Sequence, residues 1–209
     1  MNIKSKKSFI FTVIVAIILG LAFTLSINAY YVNNRGLRSV PADVYIASHT
    51  TTNERNRTTD AMSTWNNNAL GYTGLSYAGV TLMQNYNVYD GMNCVTKITY
   101  AGYIGYCFYV KTSYLGGGTY IDEFDITISN DSNITWYTST GTCPSSDVDW
   151  QSNILHEFGH ALGLGHTNPT KYFDFNGIQQ RIVMYQGLSY GEMVRNLSYD
   201  DMSGIFYLY

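Results

Sequence analysis

The chain has 209 residues, of which 45% are apolar and 13% charged, with a formal net charge of −3. This composition buries enough surface to exclude a disordered polymer, and the length suits one domain plus a targeting segment. No long basic run follows the first residues, so nucleic acid is not expected as a partner, because phosphate binding needs clustered Lys and Arg.

At the N-terminus, Lys4, Lys6 and Lys7 precede an apolar run over residues 9–27, interrupted only by Thr12, Gly20, Thr24 and Ser26. Basic then apolar is the pattern of an export segment. The run of 19 residues exceeds the ~7–15 of a signal core and nears the ~20 that span a bilayer. Residues 1–29 therefore read as a signal peptide cleaved after Ala29 or as a retained membrane anchor. In either case the basic flank stays cytoplasmic. The remainder is expected outside the cell, secreted or anchored, and the membrane is a partner only if the segment is retained. Cys94, Cys107 and Cys143 then meet an oxidising compartment. Cys94 with Cys107 is the first choice for a disulfide; the alternative is three reduced, buried thiols.

Residues 30–41 read as a linker ending at Pro41. Val44-Tyr45-Ile46-Ala47 is rich in β-formers and predicts a first strand. Ala61, Met62 and Trp65 recur at helical spacing, predicting an amphipathic helix over 54–67. Glycines 71, 74 and 79 mark residues 66–79 as a loop. Further short strands are expected at 80–83, 95–100, 103–110 and 125–128, with Gly116-Gly117-Gly118 as a break. A second helix is expected to start near Asp147 or Asp149 and to run to about Gly163. Residues 167–183 form a long connection. A last helix begins at Leu197 or Ser198, with Asp200 and Asp201 in its first turn. Residues 42–209 thus form a single domain with no internal repeat.

The chemistry is concentrated in His156-Glu157-Phe158-Gly159-His160-Ala161-Leu162-Gly163-Leu164-Gly165-His166. Residues on a helix turn by 100°, so His156 and His160 lie about 40° apart on one face and can grip one ion. Glu157 lies beside them, free to act as a general base. Ile154, Leu155, Phe158, Ala161 and Leu162 form the opposite, packing side. Gly163 can end the helix at positive φ, which lets the chain fold back and bring His166 in as a third ligand. Three nitrogen ligands leave a fourth zinc position open, the arrangement of a catalytic site. Zinc lowers the pKa of water to about 7, and Glu157 then takes the proton and passes it to the leaving amine. At ordinary residue frequencies this register of three His, one Glu and one Gly arises by chance in about one chain in 100,000.

The motif resembles that of the metzincins, zinc peptidases with H-E-x-x-H-x-x-G-x-x-H and a downstream methionine turn. Ile182-Val183-Met184-Tyr185 resembles that turn. The resemblance implies that Met184 is an apolar floor beneath the imidazoles and that Tyr185, directly after it, is part of the pocket wall. Within the metzincins the matrixins fit best: Leu197-Ser198-Tyr199-Asp200-Asp201-Met202-Ser203-Gly204-Ile205 is similar to their C-terminal helix. There the family makes Asp200 and Asp201 a brace behind the methionine turn.

What the resemblance implies is an α+β, zincin-like domain over 42–209, with a twisted mixed five-stranded sheet and three helices. It implies one catalytic Zn²⁺, protein or peptide substrates laid along an edge strand, and a monomer. Asp122, Glu123 and Asp131 offer oxygen ligands for Ca²⁺. Only His49 lies outside the motif, so a second, His-rich zinc site is not expected. The stretch from His166 to Met184 is longer than in typical animal matrixins. No upstream segment resembles a cysteine-switch propeptide, so latency through such a thiol is not expected. The rival readings are a zinc-binding surface protein without activity and a zinc hydrolase of a non-peptide bond.

Overall fold

In the computed structural model, residues 31–32, 36–68, 74–83, 85–99, 102–116, 118–167, 171–173 and 179–209 are described. The export segment at 1–29 lies outside them, as do residues 30 and 33–35 of the linker. Among the described residues no helix is long and apolar enough to cross a membrane.

A five-stranded sheet organises the chain. Its strands are β2 (Ala42–Ala47), β3 (Leu75–Thr81), β4 (Asn93–Ile98), β5 (Gly105–Leu115) and β6 (Gly118–Ser129), in the order β3-β2-β4-β6-β5. Strands β2, β3, β4 and β6 are parallel. β5 returns antiparallel on β6 and forms one edge of the sheet. The predicted Val44–Ala47 segment lies within β2. The predicted loop at 66–79 is corrected: β3 begins at Leu75. Gly79, at φ +126°, sits where the β2–β3 register shifts, so the glycine that suggested a loop is a bulge inside a strand. β6 is also longer than the expected 125–128, because Asp122 and Glu123 are held within it.

Both faces of the sheet are covered, as parallel strands require. On one face, Val95, Phe124, Ile126 and Ile128 are buried against the helices. There α1 (Thr52–Asn68) packs beside α2 (Trp150–Ala161). Trp65 Nε1 donates to the Leu155 carbonyl at 2.8 Å, and Trp150 Nε1 donates to Thr58 Oγ1 at 3.0 Å. On the other face the β3–β4 connection closes over buried carboxylates. Glu123 accepts from the Asp90 and Gly91 N–H groups, and Asp125 from those of Asn87 and Cys94.

Cys94 and Cys107 lie on β4 and β5, with β6 between them. Two strand spacings of about 4.8 Å exceed the ~7 Å Cα limit of a disulfide. The Cys94–Cys107 expectation is therefore corrected: all three cysteines are free and buried.

The last helix, α3 (Tyr199–Leu208), starts at a capping box in which Ser198 and Asp201 exchange hydrogen bonds. Short pairs complete the fold. β1 (Tyr31–Val32) pairs with β9 (Leu164–Gly165), and β7 (Trp136–Tyr137) with β8 (Val148–Asp149). β10 (Lys171–Phe173) pairs with β11 (Gln179–Arg181) inside the expected long connection.

Candidate active site

The site is built on α2. Asp149 caps its N-terminus, accepting the Ser152 N–H at 2.9 Å, and is ion-paired with Arg195. The helix ends at Leu162, and Gly163 takes φ +101°. A Cβ on Gly163 would stand 2.9 Å from the Gly36 backbone, so close approach adds to the dihedral requirement. The chain then turns through β9, and His166 faces back toward α2.

His156, His160 and His166 converge. Their Nε2 atoms are 3.1 Å (156–160), 3.2 Å (156–166) and 3.0 Å (160–166) apart. Among the described residues they are the one group of His, Cys, Asp or Glu side chains that brings three ligand atoms together. His156 Nδ1 lies 2.7 Å from the Val183 carbonyl, and His160 Nδ1 lies 2.8 Å from that of Leu164. A carbonyl only accepts, so both Nδ1 atoms carry the hydrogen, and both Nε2 lone pairs point inward. Bare nitrogen lone pairs at this spacing repel unless a cation sits among them. Three corners of a zinc tetrahedron with ~2.0–2.1 Å bonds are roughly 3.3 Å apart, so the donor set fits zinc.

Electrostatics agree with that donor state. Burial, then the neighbouring imidazoles, lower His156 to about 3. Burial lowers His160 to about 4 and also lowers His166. All three rings are therefore neutral near pH 7, ready to donate lone pairs. Burial likewise pushes Glu157 up to about 8, opposed by a hydrogen bond from the Cys107 N–H.

An open cavity of about 370 Å³ exposes these groups. It is lined by the three histidines and Glu157 on one side, and by Gly105, Cys107 and Tyr109 of β5 on the other. Tyr109 donates its hydroxyl to the His160 carbonyl at 3.0 Å, tying the edge strand to the helix.

The matrixin family model matches residues 43–209. The chain belongs to the matrixin family. This matrixin is similar to the metalloendoproteinase 2-MMP of Arabidopsis thaliana, with 37% identity over 62 residues, or 30% of this chain and 14% of that protein. The matched part is thus a small fraction of that relative's length. Among solved structures it is similar to the GM1-bound form of the ECX AB5 holotoxin, with a TM-score of 0.47 and 14% identity over 86% of each chain. It is also similar to myroilysin, with a TM-score of 0.43 and 18% identity over 85% of this chain and 97% of that one.

The matrixin's other predicted site residues take distinct places. Met184 is buried, and its sulfur packs against Gly159, between the two helical histidines. Thr167, next to His166, donates its N–H to the Met184 carbonyl at 2.9 Å, binding the ligand loop to the methionine turn. Asp201 accepts from the Val183 and Met184 N–H groups, both at 3.1 Å. Asp200 Oδ2 is buried without a partner, so of the expected acidic brace Asp201 is the member bonded to the turn.

Tyr185, expected in the pocket wall, is not among the residues lining the cavities at the histidines. Its ring lies 4.5 Å from the Arg181 guanidinium, while Gln186 and Val183 line the cavities on either side. The proposed calcium ligands do not meet either. Asp122 pairs with Arg38 and accepts from Ser113, Glu123 holds the β3–β4 connection, and Asp131 caps Asn133. His49 hydrogen-bonds the Lys97 main chain.

Sequence reasoning missed Asn153 and Gly105. Asn153 had a signal: it precedes Glu157 by four residues, so it lies about 40° away on the same helix face. Gly105 had none, since only the β5–α2 approach makes it matter.

Proposed function

We propose that this domain is a zinc-dependent endopeptidase acting on extracellular protein or peptide substrates. The convergence of three imidazole Nε2 atoms within 3.2 Å, with the carboxyl of Glu157 beside them in the same open cleft, carries the proposal. Membership of the matrixin family and a relative named as a metalloendoproteinase support it. Export through residues 1–29 is part of the same proposal.

His156, His160 and His166 hold the ion through Nε2. Zinc supplies Lewis acidity there, polarising a carbonyl and acidifying water. The chain's own residues do the rest. The outer edge of β5 offers unpaired main-chain groups to an extended peptide, which adds as a further strand. Gly105, without a side chain, lets β5 itself run close to α2. Glu157 takes a proton from the attacking water and delivers it to the leaving amine. Burial favours its protonated form, whereas a neighbouring divalent cation favours the carboxylate. These opposed effects suit a group that must both accept and release a proton near neutral pH.

The test is proteolysis by the purified full-length chain. Casein cleavage should stop with 1,10-phenanthroline and return with zinc. Glu157→Gln should keep one zinc per chain and lower kcat/KM by about 10²–10⁴-fold. Full activity in that variant would refute the role of Glu157. Zinc-dependent hydrolysis of other bonds without proteolysis would transfer the site to the non-peptide class.

A further inference from the structure

A second cavity, of about 180 Å³, opens beside the histidine cleft and shares His156 and Glu157 with it. Ile104, Val183, Leu188 and Val194 give it apolar walls. An aliphatic cavity of about 150 Å³ accepts benzene, so this one has room for a side chain the size of Leu, Met or Gln.

One wall group departs from that lining. Asn153, on α2 one turn before Glu157, is only 6% exposed, and its Nδ2 is buried without a hydrogen-bond partner. A Cβ on Gly105 would lie 2.5 Å from Nδ2 and 2.9 Å from Glu157 Oε1. The bare α-carbon of Gly105 therefore lets β5 pack directly against both groups, where a side chain would displace them. Buried polar groups without a partner are uncommon because leaving them unmade is costly. At the wall of a binding cavity, the natural remedy is a ligand atom.

We propose that Asn153 is a specificity-determining residue, whose amide makes this cavity select a neutral side chain bearing a hydrogen-bond acceptor, such as that of Asn or Gln, next to the scissile bond. The inference rests on the peptidase reading. A peptide lying on β5 with its carbonyl at Glu157 and the histidines places a flanking side chain at the cavity mouth, because the cleft and the cavity share those residues. An aliphatic side chain of equal size fills the volume but leaves Nδ2 unpaired. An acidic one would place its charge among Ile104, Val183, Leu188 and Val194, a costly desolvation. Arg181 does not offset this, since its guanidinium is paired with Glu192 at 2.7 Å.

The experiment uses the full-length chain and pairs of fluorogenic peptides that differ only in Asn against Leu, or Gln against Met, at each position flanking the cleaved bond. For one flank, wild type should favour the amide member by about tenfold or more in kcat/KM. Asn153→Leu, of similar volume, should abolish or invert that ratio, and Asn153→Ala should abolish it. Because each ratio is internal to one protein, a general loss of activity does not move it, and the wild-type ratio stands even if a variant fails to fold. A wild-type preference for Leu or Met, or the same ratio in wild type and variant, overturns the inference and leaves the peptidase reading intact. No cleavage of any peptide by wild type overturns both.

Discussion

The carboxylate of Asp201, at the start of α3, accepts the main-chain N–H of Met184 at 3.1 Å, across 17 residues of sequence. The same carboxylate accepts from Val183 N–H, Ser198 N–H and Ser198 Oγ. It thus fixes the methionine turn and the helix cap with one buried group. The Val183 carbonyl held by this turn receives His156 Nδ1–H, so the bond reaches a proposed ligand through two links. Asp201→Ala leaves several buried donors unpaired. Urea unfolding of the variant should show a loss of about 3 kcal/mol or more, and a loss under about 1 kcal/mol would contradict the bracing role.

Gly159 tests the packing beneath the histidines. A Cβ there would collide with Met184 Sδ and stand 3.0 Å from Trp65 Cζ2. Both neighbours are core residues, 1% exposed, with little room to retreat. Gly159→Ala should cost about 1–3 kcal/mol through overpacking, despite the better helix propensity of alanine. It should also weaken zinc binding, read by competition with a chromophoric chelator. Unchanged stability and affinity would show that Met184 moves freely.

Much of this arrangement was legible because its determinants are local. The 3.6-residue period places His156, Glu157 and His160, Gly163 ends the helix, and Asp149 and Ser198 cap the helices they precede. The three helices follow from those signals, whereas the five-stranded mixed sheet is what the matrixin resemblance implies. Tertiary placement was less visible. Glu123 reads as a candidate calcium ligand, yet it is 2% exposed and accepts two N–H groups from a loop 32 and 33 residues earlier. Gly79 reads as part of a loop and is a bulge within β3. Cys94 and Cys107 are near in sequence, but β6 enters between them from further along the chain.

The cysteines give a direct check. Under denaturing, non-reducing conditions a thiol reagent should find three free thiols per chain. In the native state reaction should be slow, because burial raises Cys107 well above its ordinary range and Cys94 to about 12, and the thiolate is the reactive form. Reducing agent should leave the unfolding midpoint unchanged. A count of one thiol would mean a disulfide, which would require β4, β5 and β6 to be arranged differently.

Asp200 predicts the pH dependence of stability. Burial, then the neighbouring Asp201, raises it from 3.8 to about 7, and its Oδ2 has no partner. The folded protein therefore holds this proton more tightly than the unfolded chain does. Its contribution is fully favourable below pH ~4 and is lost as pH rises through 7. Asp200→Asn mimics the protonated group at every pH. With chelator present for both proteins, the variant should match wild type near pH 4. The gap should widen toward pH 7 and level off above it, with the variant more stable by about 1–2 kcal/mol at pH 8 after allowance for solvent screening. Urea unfolding at pH 4 and pH 8 decides the matter: a gap of equal size at both values, or a wild type more stable at pH 8, would mean that the ionised carboxylate has a partner in the folded protein.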